Sequence, residues 1–313
     1  MRHGLIVLAF AAAAALPARA DELADSFATV WESLWQQAGT PTYVIRWADE
    51  VRVRFTGGMT ERYREHAMSA LRDATQAAGL KLRDVTAETD AEKLANLEYR
   101  VTGDYDLQDT MPCVAHLQRW RNWLLESVLV QVRPREIWRC TYHEVMHAMG
   151  IRGHPSGKTV LSYFPYRRDQ LMPMDVLMLK AWYSPAMRPG ATPFEALKAL
   201  TDAVIEATVE ESARPAARDA QAQFLRGRLQ EMERYARGEG EVPTIVFRSG
   251  RATETAMAAG RNQMAFFVGV AHLSGIGAPV SLQEGLKWVE LAAAKGNAAA
   301  KTMLERRKKE AEK

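Results

Sequence analysis

Residues 51–55 (VRVRF) alternate apolar and polar positions, the period of a strand buried on one face. Residues 60–78 switch to a helical period, with Tyr63, Ala67, Leu71 and Ala74 on one face. Segments 80–85, 97–107 and 127–132 read as further strands. A helix then starts near Pro134, a residue suited to the first turn, and stops at Gly150. A loop runs to about residue 172, and another helix covers 174–183. From Thr192 onward only helical signals remain. Thr192-Pro193-Phe194-Glu195 has the form of a capping box with Pro at the first helical position, and Leu197, Leu200 and Val204 continue that helix. A charged helix over 215–237 carries Phe224, Leu225, Leu229 and Met232 as its apolar stripe. Residues 238–243 (GEGEVP) read as a linker, and helices are predicted over 260–273, 282–294 and 298–307, with a charged, frayed end. The pattern predicts an α+β protein: a mixed sheet with helices over 51–189, then an all-α region.

The first twenty residues depart from both periods. MRHGLIVLAFAAAAALPARA has a basic start at Arg2, an apolar run from Gly4 to Leu16 and small residues around Arg19. This is the form of a secretory leader, with cleavage expected before Asp21 and no membrane span afterwards. No Cys follows the run to receive a lipid. The expected location is periplasmic or secreted. The chain counts 41 Lys and Arg against 38 Asp and Glu, and loss of Arg2 and Arg19 would leave a net charge of +1. So even a balance gives no argument for nucleic-acid binding.

Two cysteines remain, Cys113 and Cys140. In an oxidising compartment the simplest reading is a disulfide. A metal thiolate or a buried thiol is the alternative, without a CxxC spacing behind it.

The candidate chemistry lies in HEVMHAMGIRGH, residues 143–154. His143 and His147 are four apart on a helix and share a face, which lets two imidazoles hold one Zn²⁺. Glu144 stands beside them and can take a proton from a water and pass it to a leaving amine. Trp138, Tyr142, Val145 and Met149 form the stripe expected to pack inward. Gly150 permits the turn that ends the helix, and His154 can then supply a third ligand. Three protein ligands leave the open position of a catalytic site.

These residues resemble the zinc-binding stretch of the metzincin metallopeptidases, the clan of the matrixins, astacins and serralysins, whose pattern is HExxHxxGxxH. Gly153 occupies the usual third-ligand position here and His154 follows it. Residues 159–163 (TVLSY) resemble the clan's Met-turn, with Leu161 in place of Met. The resemblance implies that Tyr163 is a further ligand that swings away to stabilise an oxyanion; a tyrosine packing in a loop is the plainer reading. Residues 171–183 (LMPMDVLMLKAWY) are similar to the helix after that turn, with Asp175 placed to favour its dipole. The same segment is similar to a bacterial secreted family whose members often lack the HExxH residues.

Residues 260–307 resemble a Sel-one-like repeat, a relative of the tetratricopeptide repeat, on Gly269, Gly275, Gly277, Trp288 and Gly296, with Gly285 where Ala is usual. Such a unit implies a protein partner, or equally a helical cap, and must pack on neighbours, here 192–240. His116, Arg119, Trp120, Arg121 and Trp123 follow Cys113 closely. They read as a surface segment with its aromatics packed inward, or else as one wall of a substrate groove. His66 and His272 lack ligand spacing and read as structural.

The combined expectation is a leader over 1–20, a metzincin-like zinc peptidase domain over 21–190, a helical linker region over 191–250 and a Sel-one-like helical repeat over 251–313. The expected activity is endopeptidase cleavage of a peptide or protein substrate. His143, His147 and His154 would be the zinc ligands, Glu144 the general base and Tyr163 a second catalytic group. The alternative is an inactive metzincin-like scaffold whose helical repeat recruits partners in the cell envelope.

Overall fold

The computed structural model describes residues 16–37, 39–103, 107, 111–163, 169–249 and 253–312. Residues 1–15, most of the expected leader, lie outside the described residues. Helix α1 (Leu16–Glu32) begins within the leader's last five residues. It leads into a short antiparallel pair, β1 (Trp35–Gln37) and β2 (Thr40–Pro41).

The sheet is built next, from β3 (Glu50–Gly57), α2 (Glu61–Ala78), β4 (Lys81–Asp84), α3 (Ala91–Leu94), β5 (Leu97–Val101), β6 (Cys113–Arg121) and β7 (Leu124–Val132), with α4 (Ile137–Ala148) following. Its strand order is β4-β3-β5-β7-β6. The first four strands are parallel and β6 runs antiparallel at the edge. Alternation sorts the faces. Val51, Val53, Phe55, Leu97, Tyr99, Val128 and Val130 are buried. Tyr99 reaches α4 through a 2.7 Å hydroxyl contact with Thr141. The opposite face holds charges that pair across strands, as in Arg54–Glu98 at 2.8 Å. One wet face is why the period-2 signal is so clean in β3.

The strand expected over 97–107 stops at Val101, and residues 104–106 lie outside the described residues. Strand β6 was not expected. It and β7 are joined at Asn122 and Trp123, both with positive φ (51° and 66°), the signature of a tight hairpin turn. Such a conformation is uncommon for Trp. Here the ring is held against Tyr43, with centroids 4.4 Å apart.

The helical region comprises α5 (Pro173–Trp182), α6 (Pro193–Thr208), α7 (Arg214–Arg237), α8 (Thr244–Arg248), α9 (Glu254–Ser274), α10 (Leu282–Ala294) and α11 (Ala298–Ala311). The capping box forms as expected: Thr192 N–H donates to Glu195 at 2.7 Å, and so does its hydroxyl. Ser281 and Asn297 cap α10 and α11. Gly269 and Gly285 face one another where α9 crosses α10, and a Cβ on either would lie within 3.0 Å of the other's carbonyl oxygen.

One continuous core joins the helices to the sheet. Phe27 of α1 meets Phe224 of α7 at 5.5 Å, Trp31 meets Phe194 at 5.9 Å, and Tyr43 meets Phe267 at 4.9 Å. Among the described residues no helix is long and apolar enough to cross a membrane.

Cys113 and Cys140 form a disulfide between edge strand β6 and helix α4, as an oxidising compartment permits. The bridge closes 27 residues. Replacing both cysteines with Ser is expected to lower the unfolding free energy by about 3.5 kcal/mol on chain entropy alone. Denaturant unfolding of the oxidised protein and the double variant measures this directly.

Candidate metal centre

A single 3₁₀ turn at Pro134–Glu136 leads into α4. Ile137, Cys140, Thr141, Tyr142, Val145, Met146 and Ala148 bury the helix against the sheet and α2, and His143 and His147 stand one turn apart. Gly150 closes the helix with φ +96°. Its N–H donates to His147 O at 2.9 Å and Ile151 N–H to Met146 O at 3.3 Å. A side chain at Gly150 would also strike Ile45 O, so glycine is required on two counts.

The chain then doubles back and meets the end of α1. Gly153 N–H donates to Ser33 O at 2.8 Å, and a Cβ on Gly153 would collide with Glu32 O and Ser33 O. Glu32 accepts from the Ser156 N–H at 2.6 Å and its hydroxyl at 2.8 Å. Gly153 is thus spent on contact with α1, and the next residue, His154, faces the helix.

The three histidines converge. Their Nε2 atoms lie 3.0 Å apart for His143–His147 and 3.2 Å from each of these to His154. They form a group able to hold a metal ion. Two backbone carbonyls set the tautomers. His143 Nδ1 donates to Val160 O and His147 Nδ1 donates to Ile151 O, both at 2.8 Å. Their Nε2 atoms therefore carry lone pairs and face each other as two acceptors. Burial pushes the pKa of His143, His147 and His154 down, that of His154 to about 4, so protonation does not supply the missing positive charge. Acceptors this close call for a cation between them. The nitrogens of a tetrahedral zinc site stand about 3.4 Å apart, so the set fits such an ion with little movement.

Glu144 points away from solvent beside the cluster. Its carboxyl accepts from the Ala115 N–H of β6, while Oε2 is buried without a partner. Burial outweighs that hydrogen bond and pushes the carboxyl up to about 8. A cation at the adjacent histidines would oppose the rise.

The turn at 159–163 lies directly against the cluster, since Val160 supplies the carbonyl that orients His143. Leu161, the next residue of the turn, is fully buried. Asp175, at the start of α5, pins the turn. It accepts from Val160 N–H at 3.1 Å, from Met172 N–H at 2.8 Å and from the Thr159 hydroxyl. The sequence placed Asp175 at a helix start but gave no sign of this role. Glu32 and the Ala115 N–H have no sequence signature either, since a carboxylate 124 residues from Ser156 and a backbone amide carry no local signal.

The other candidates fall in different places. The Tyr163 ring is stacked parallel on His154 at 4.4 Å and is 65 % exposed. Trp138 does not pack inward: it is 39 % exposed and lies between Arg62 and His66 of α2. Trp120 also points outward, at 46 % exposure, because it sits on the edge strand rather than in a segment folded over the core. His116, Arg119 and Arg121 lie along the same strand. His272 pairs with Glu233 at 2.7 Å, away from the cluster, as a structural histidine does. No family model matches the chain, and no curated protein or solved structure matches it.

Proposed function

We propose that this chain is a zinc-dependent endopeptidase acting in the periplasm or outside the cell. The observation that carries the reading is the convergence of three imidazole Nε2 atoms, two of them fixed as acceptors, beside a buried carboxylate with an unpartnered oxygen. His143, His147 and His154 would hold the ion. When bound, zinc supplies a Lewis acid that polarises a carbonyl and acidifies a water.

The chain's own residues do the rest. Glu144 is held by Ala115 at one oxygen, so the other is free to take a proton from the attacking water and return it to the leaving amine. Tyr163 is exposed over His154 and would stabilise the developing oxyanion. Edge strand β6 offers unpaired backbone groups to an extended peptide, and its Ala115 already touches the base. The metzincin resemblance of residues 143–183 gains support from the position of the 159–163 turn against His143 and from the antiparallel edge strand next to α4. The C-terminal helices share the core of the sheet region through Tyr43 and Phe267, which favours a Sel-one-like unit serving as a cap over a detached recruiting module.

The test is metal content. Mass spectrometry of the chain from Asp21 onward is expected to find one zinc per molecule, absent from His147→Ala. A native chain that stays metal-free after incubation with zinc would overturn the reading and return attention to the scaffold alternative.

A further inference from the structure

Ala115 turns its N–H away from β7 to Glu144. In an antiparallel ladder the backbone groups of Leu117, two residues on, face the same way and are open to a peptide. The side chains sort differently. Cys113, Ala115 and Leu117 stand opposite Val132, Val130 and Val128, all buried, so they share the face that packs on α4. Strict alternation from Leu117 would put Trp120 on the other, charged face with Gln118, whose amide oxygen accepts from the Ser127 hydroxyl at 2.8 Å.

The pairing breaks that alternation. Register irregularities lie on both sides of Arg119, which stands opposite Ser127, while Trp120 stands opposite Leu125. On β7 the buried positions step by two from Val132 to Val128 and then by three to Leu125. A bulge of this kind re-aims the side chains beyond it, so Trp120 joins Leu125 on the face of Ala115. Leu125 is buried there, whereas Trp120 stays nearly half exposed. Among the described residues no ring or cation lies on Trp120, unlike Trp123 against Tyr43 and Trp138 under Arg62. The neighbouring Arg121 is taken by Glu126 at 3.1 Å, and Arg119 stands on the Ser127 face, so the open surface is apolar. With one residue spent on the bulge, four strand steps, about 13 Å, separate Trp120 from Ala115. A peptide running antiparallel to β6 carries its N-terminal side past Trp120. We propose that Trp120 forms the subsite for a large apolar side chain, aromatic or branched, three or four residues N-terminal to the cleaved bond. The inference rests on the endopeptidase reading for the nature of its ligand.

The probes are blocked octapeptides of alanine and serine, with a single phenylalanine at each position in turn, beside the parent without it. Binding is followed in the zinc-incubated Glu144→Gln chain by the indole N–H resonance of Trp120, assigned through Trp120→Phe. The best phenylalanine peptide is expected to move this resonance saturably and to bind about tenfold tighter than the parent. Trp120→Ala, a change at an exposed position that should keep the metal content of the native chain, is expected to bind both alike. Gln118→Ala, on the opposite face, should keep the tenfold preference. Cleavage by the native chain, mapped by mass spectrometry, should fall three or four residues after the phenylalanine. A native chain that cleaves none of the peptides, while the resonance still moves and the preference is still lost in Trp120→Ala, would sink the peptidase reading and leave the apolar subsite standing. Absence of any preference for phenylalanine overturns the proposal, and so does a preference that survives Trp120→Ala. Cuts that place the phenylalanine on the C-terminal side of the broken bond overturn it as well.

Discussion

Glu144→Gln is expected to retain the metal on its three histidines and to lower peptide hydrolysis by roughly a thousandfold, within the usual range for removing a general base. Gln matches Glu in volume, so the buried site is not emptied, and its amide oxygen can still accept from the Ala115 N–H. What it lacks is any capacity to take a proton at neutral pH. Because Glu144 is not a ligand in this arrangement, metal content separates two failures. Loss of turnover with one metal per chain assigns proton transfer to Glu144. Loss of both would make Glu144 a ligand. Unchanged turnover would put the base elsewhere and remove the reason for burying a carboxyl beside the cluster. The position is costly without a cation, since burial pushes this carboxyl up to about 8 even against the Ala115 hydrogen bond, and Oε2 is left unpartnered. A carboxyl in such surroundings is more easily explained by a neighbouring positive charge than by packing.

The parts of this molecule that were legible in the sequence are those with local physical causes. The ends of α4 follow from Pro134 and Gly150, and its ligand face from a four-residue spacing. β3 shows its alternation because one face of the sheet is wet. Thr192 announces its helix because capping is a short-range hydrogen bond. The hairpin of β6 and β7 was hidden for the opposite reason. Its turn uses Asn122 and Trp123 where Asn-Gly is the usual signal, and Trp123 is held there by Tyr43, which is distant in sequence. The strand itself, CVAHLQRWR, is polar and mostly exposed because it forms an edge. The spacing of Trp138 from Tyr142 and Val145 points it inward, yet Arg62 and His66 of α2 hold it at the surface. His154 could be named from residue type, but its reach depends on Gly153 pressing against α1, a contact between segments 120 residues apart.

Asp175→Ala should damage the site without touching a ligand. The substitution leaves Val160 N–H, Met172 N–H and the Thr159 hydroxyl without their acceptor, at a position with no solvent access. A loss of about 3 kcal/mol in unfolding free energy is expected, together with a 10–100-fold drop in metal affinity, because Val160 O would no longer hold the His143 tautomer. Asp175→Asn discriminates this positioning role from simple loss of stability. Its oxygen can accept from Met172 and Val160 while its amide donates to Thr159, so metal affinity should stay near the native value. The Asn variant also isolates a pH effect. Burial raises the Asp175 carboxyl from an ordinary 3.8 to about 6. Between those values the folded chain holds a proton that the unfolded chain has released. The stability this proton contributes is full below about pH 3.8 and is lost as pH rises through 6, at most about 3 kcal/mol. The histidines act in the other direction, since their lowered pKa values make folding less favourable as pH falls. They are common to both proteins and cancel in the difference. In metal-free denaturant unfolding, the native chain should therefore lose stability relative to Asp175→Asn between pH 4 and pH 7. A difference that stays flat across that range would mean that the Val160, Met172 and Thr159 hydrogen bonds keep Asp175 ionised throughout, and that the turn beneath His143 is held by a charge.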